Sequence, residues 1–65
     1  MFVIFDDHMN GNSVALNVDL IRQVYPNPDN AKGSTVLEFG DGKRVVVAGP
    51  FKFVMDVIAK AQTSV

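Results

Sequence analysis

One stretch does most to restrict the fold. Between Ser34 and Ala48 lie two short apolar runs, Thr35-Val36-Leu37-Glu38-Phe39 and Val45-Val46-Val47-Ala48, separated by Gly40-Asp41-Gly42 and a basic pair. β-Branched and aromatic residues on both sides of a glycine-flanked aspartate predict a β-hairpin. Two registers are open to it. A three-residue loop with Gly42 in the left-handed conformation sets Glu38 opposite Arg44, Leu37 opposite Val45 and Thr35 opposite Val47. A two-residue turn at Asp41-Gly42 would instead oppose Phe39 to Arg44 and Glu38 to Val45. The first register keeps like with like, and matched cross-strand pairs contribute about 0.2–1 kcal/mol each. It is the preferred one.

The flanking segments follow from turn and cap chemistry. Gly49-Pro50 ends the hairpin and opens a helix, because proline suits the first helical position. From Phe51 to Gln62, the residues Phe51, Val54, Met55 and Ile58 recur at helical spacing, with Lys52, Asp56 and Lys60 on the opposite side. Thr63, Ser64 and Val65 are expected to fray. Upstream, Met1 to Phe5 reads as a strand without polar alternation, so both of its faces are expected to be covered. Asn10-Gly11 supplies a reversal, and Ser13 to Leu16 returns as its hairpin partner. Asn17 is placed to cap a single helical turn through Val18, Asp19 and Leu20. Ile21 to Tyr25 extends again until Pro26 and Pro28 close it, leaving Asn27 to Gly33 as a polar loop. The expected fold is one α+β domain over residues 1–65: a strongly bent antiparallel sheet of four to five short strands, with one C-terminal helix packed on it.

A chain of 65 residues without cysteine has few means of stabilising itself. A domain this size buries only about 60% of the surface its unfolded form exposes, and disulfides and thiolate metal sites are excluded. Association with a partner is the remaining supplement. The residues point the same way. Phe53, Val57 and Ala61 form a second apolar line on the helix, so its polar stripe is narrow. If Leu37, Phe39, Val45 and Val47 face the helix, Val36, Val46 and Ala48 line the other side of the hairpin. The expected contact residues are therefore Val36, Val46, Phe53 and Val57, with Tyr25 and the loop from Asn27 to Lys32 as a second surface. A homodimer is the expected assembly, two-fold pairs being the commonest closed form. The competing reading is that the first strand or the long loop folds over one of these surfaces.

Little in the chain suggests chemistry. Lys+Arg 6 against Asp+Glu 7 gives a net charge of −1, which argues against nucleic acid as a partner. Arg22, Lys43 and Arg44 are candidates for a local basic patch, and a small nucleic-acid-binding regulator is the alternative function. Asp6, Asp7 and His8 offer metal-ligand types, but neighbours in one turn rarely converge on an ion. Asp41 lacks the rest of a calcium or phosphate loop. Ser13, Ser34 and Ser64 have no second histidine beyond His8 and no elbow motif to activate them. A cleft of ~300 Å³ or more is not expected in so small a chain. No enzyme and no cofactor is expected. Phe39 and Phe51 are read as core residues rather than a stacking platform for single strands. No apolar run approaches the ~20 residues that span a bilayer, and Phe2-Val3-Ile4-Phe5 lacks the basic flank of a secretory signal. The cytoplasm is the expected compartment.

The pattern resembles the short bacterial flagellar and swarming-motility proteins. In that family a strand leads to an Asn-x-Asp-Leu/Ile-Ile segment, followed by an apolar strand, a glycine-containing turn, a valine-rich strand and a final helix. The matching pieces here are Val14-Ala15-Leu16-Asn17-Val18-Asp19-Leu20-Ile21, Thr35-Val36-Leu37-Glu38-Phe39, Gly42-Lys43, Val45-Val46-Val47, and Val54 with Val57-Ile58. Two features depart from it: the longer connection from Pro26 to Gly33, and Gly49-Pro50 at the helix entry. The resemblance implies a non-enzymatic protein that serves motility through protein contact. In size and element order the chain is also similar to the carbon-storage-regulator type of RNA binder, but it lacks an evident basic edge.

Overall fold

The computed structural model describes residues 1–63, with the side chain of Thr63 left aside. Five strands precede one helix: β1 Phe2–Asp6, β2 Ser13–Asn17, β3 Ile21–Pro26, β4 Ser34–Phe39, β5 Arg44–Ala48 and α1 Phe51–Thr63. A single 3-10 turn, Val18–Leu20, joins β2 to β3. The expected fraying of Ser64 and Val65 lies outside the described residues.

Chain reversals are held by their own Asn and Asp side chains. Met9 N donates to Asp7 Oδ1, Asn12 N to Asn10 Oδ1, Asp29 N to Asn27 Oδ1 and Lys43 N to Asp41 Oδ1, all at 2.8–3.1 Å. Each bond spans two residues, mimicking a backbone turn. Asn17 does the same at the 3-10 turn, accepting from Asp19 N at 3.1 Å as expected. It also accepts from the Met1 amino group, which pairs with the Asp19 carboxylate. Asn17→Ala is therefore expected to cost about 0.5–2 kcal/mol, the usual loss of a cap, measured by urea denaturation. An unchanged midpoint would show that the cap contributes nothing.

The β4–β5 hairpin adopts the preferred register, with Glu38 opposite Arg44, Leu37 opposite Val45 and Thr35 opposite Val47. Gly42 sits at φ 87°, in the left-handed region that the three-residue loop requires. Arg44 Nε donates to Glu38 Oε2 at 3.2 Å across the pair. On the other side of β4, β3 pairs antiparallel with an irregularity between Ile21 and Gln23. The α+β fold with one C-terminal helix is the expected one, its five antiparallel strands dividing into two sheets, β1-β2 and β3-β4-β5, rather than one bent sheet. The two are linked through a bridge between Asp7 and Val47 and through His8 N, which donates to Val46 O at 3.0 Å.

The core lies where both sheets meet the helix. Phe5, Val18, Leu37, Val47, Val54 and Ile58 are buried and form one cluster, with Val3, Val14, Leu16, Phe39, Val45, Val57 and Ala61 packed around it. The buried arc of α1 is thus Val54, Val57, Ile58 and Ala61, spaced i, i+3, i+4, i+7. This differs from the expected stripe. Phe51, read as a core residue, is exposed, while Val57 and Ala61, read as a surplus line, pack against the core. Helical side chains lean toward the N-terminus, so Phe51 in the first turn is carried past the end of the packed surface.

Two polar side chains are buried within β4, and both are bonded. Thr35 Oγ1 donates to Gly49 O at 3.0 Å, and Ser34 Oγ donates to Asn30 O while accepting from Asn27 Nδ2. They tie the loop of residues 27–33 and the start of the helix to the central strand.

Candidate functional site

One face of the first hairpin is apolar and exposed. Strand geometry alternates side chains, so Val3 and Phe5 face the core while Phe2 and Ile4 face outward. Phe2 is 69% exposed and Ile4 70%. Their cross-strand partners are Asn17 and the exposed Ala15, so nothing on β2 shields them. The expectation that both faces of this strand are covered is overturned. The 13-residue helix packs on the 3-10 turn, β3 and β4, and among the described residues no second helix lies over the outer face of β1.

Beside this face runs an open groove of about 430 Å³, between β2 with the 3-10 turn and the tip of the β4–β5 hairpin. Leu16, Leu20, Phe39 and Val45 supply most of its apolar wall, and Ala15 belongs to both groove and face. Leu20 is 62% exposed. The groove exceeds the volume expected of a chain this small, because the two sheets splay apart where β2 and the hairpin tip do not pair. Of its lining residues only Asp41 and Lys43 ionise, and both are exposed. Such a surface is suited to holding apolar side chains, and it offers no acid–base pair aimed at a common point.

The candidate contact residues fall into two groups. Tyr25, Val36 and Val46 are cross-strand neighbours on β3, β4 and β5. Val36 is only 6% exposed, flanked by the half-buried Tyr25 and Val46. On the helix, Phe53 is 55% exposed, whereas Val57 is half-buried against the core. Phe2, Ile4 and Leu20 were missed. The unbroken Phe2-Val3-Ile4-Phe5 run signalled a strand with two apolar faces, and nothing local said which would lack a cover.

Arg22, Lys43 and Arg44 are all exposed at one end of the three-stranded sheet. Glu38 stands between the strands that carry the arginines and engages Arg44, so the patch includes its own counter-charge. At the first turn, Asp7 accepts from Met9 N and Asp6 from Ser13 Oγ, so both carboxylates serve the hairpin. No group of three or more potential metal ligands converges among the described residues. Nor is any helix among them long and apolar enough to cross a membrane.

Neither the curated proteins nor the solved structures contain a match to the chain. A family model does match it, from residue 7 to residue 65, a span that includes every residue lining the groove. The order of capped turn, paired strands and terminal helix is the pattern noted in the sequence, and the chain belongs to the FlbD family of flagellar and swarming motility proteins.

Proposed function

We infer that this protein is a non-enzymatic interaction module that serves motility by docking to other protein surfaces, acting in the cytoplasm as a homodimer. The observation that carries this reading is the outward pair Phe2 and Ile4, 69% and 70% exposed, continuous through Ala15 with an apolar groove. Small monomers seldom leave such surface in contact with water; contiguous apolar patches mark sites of association. Family membership supplies the process, flagellar or swarming motility. Phe53, exposed on the helix, offers a further contact point away from the hairpin.

The test combines mass and motility. Light scattering at micromolar concentration is expected to give about twice the 7.1 kDa chain mass. In the native host, removing the gene is expected to reduce flagellar or swarming motility, and the wild-type gene should restore it. A double variant, Phe2→Ser with Ile4→Ser, should keep its CD spectrum yet fail to restore it. A monomer with full motility after gene removal would end the reading.

A further inference from the structure

We propose that the homodimer forms through the free edge of β2, with two copies of Ser13–Asn17 pairing antiparallel about Ala15. The inference rests on the homodimer reading above and names its interface. It begins with the sheet edges. The outer edge of β5 is occupied at Val47 and Val46 by Asp7 and His8. β3 carries an irregularity after Ile21, an exposed Arg22 and a terminal Pro26, features that discourage further pairing. β2 has none of these. Its sequence, Ser-Val-Ala-Leu-Asn, has no charge and no proline, and its five-residue register with β1 is unbroken.

The hydrogen-bond phase shows which groups point outward. Val18 N donates to Met1 O and Asp7 N donates to Asn12 O, at the two ends of the β1–β2 ladder. Antiparallel pairs alternate between bonded and non-bonded, so Val3/Leu16 and Phe5/Val14 are the bonded pairs between them. The N–H and C=O groups of Ser13 and Ala15 and the N–H of Asn17 are thereby turned to the free edge, while the Asn17 C=O serves the 3-10 turn as its cap.

A two-fold axis at Ala15 brings these groups against the same groups of a second copy. Ala15 would exchange bonds with the second copy's Ala15, and Asn17 N–H would donate to its Ser13 C=O, giving about four new backbone hydrogen bonds. Side chains agree with this register. Polar Ser13 meets polar Asn17, small Ala15 meets Ala15, and apolar Val14 meets Leu16. A one-residue slip would destroy all three matches. On the outer face the axis creates an apolar row from Ile4 through both alanines to the second Ile4. The incoming strand enters the groove beside β2 and covers Leu20 and Phe39.

The absence of native cysteine makes the test direct. Bonded antiparallel partners have Cα atoms ~5.5 Å apart, within reach of a short bis-maleimide linker. With that linker Ala15→Cys is expected to convert almost wholly to a covalent dimer, and Ala31→Cys, in the exposed loop, only in traces. Ala15→Lys and Ala15→Glu should each scatter as monomers with wild-type CD spectra, and an equimolar mixture should regain the dimer mass. A wild-type dimer in which Ala15→Cys cross-links no faster than Ala31→Cys would overturn this interface and leave the homodimer standing. A wild-type monomer would overturn both.

Discussion

Leu37→Ala is expected to lower the unfolding free energy by about 2–5 kcal/mol, the cost of emptying a fully buried leucine site. Leu37 is 0% exposed, on β4, which has a paired strand on each side, and it packs with Val47, Val54 and Ile58. A chain of this length has a total stability on the order of 3–10 kcal/mol. The substitution therefore removes a large share of it, and the midpoint should fall by roughly 10–30 °C. Thermal or urea unfolding measures the effect. Ile4→Ala is the control, because Ile4 is 70% exposed and a surface truncation in the monomer costs about 0.5 kcal/mol or less. Equal losses at the two positions would contradict the assignment of core and surface.

The second large effect is expected at the junction between β5 and the helix. Gly49 lies at φ 118°, a region side-chain-bearing residues rarely adopt. Its backbone cannot relax easily, since Gly49 N donates to Gly33 O at 2.8 Å and Gly49 O accepts from Thr35 Oγ1. An added Cβ would come within 3.0 Å of Phe53 Cδ2. Gly49→Ala is expected to cost about 1–3 kcal/mol. Gly40→Ala provides the contrast, with no strained φ and nothing within 4 Å of the new Cβ; by restricting the unfolded chain it should be neutral or stabilise by up to about 1 kcal/mol. Combining Gly49→Ala with Phe53→Ala separates the two causes: if the loss persists, backbone strain dominates over the ring contact.

How much of this was legible in the chain depends on the range of the interaction. The Asn17 cap, the Gly42 conformation and the Glu38–Arg44 register were readable because each is settled by residues close in sequence. The orientation of the helix was not. Its residues carry apolar side chains on more than one line, and which arc turns inward is decided by Val18, Leu37 and Val47, which lie elsewhere in the chain. That is why Phe51 and Val57 exchanged their expected places. The same reason hides the outer face of β1, which no other element among the described residues covers. Val36 illustrates the converse: it lies outside the core cluster yet is screened by neighbours on both adjoining strands.

The side-chain bonds that close the turns have a kinetic corollary. Because Asp7, Asn10, Asn27 and Asp41 each fasten a reversal within three residues, the tips can form before any distant contact exists. The two hairpins can then zip from their ends on the microsecond scale typical of such units, leaving the docking of the helix onto the 3-10 turn, β3 and β4 as the late, slower event. Ratios of rate to stability changes should therefore be higher for substitutions at Asp41 than at Ile58.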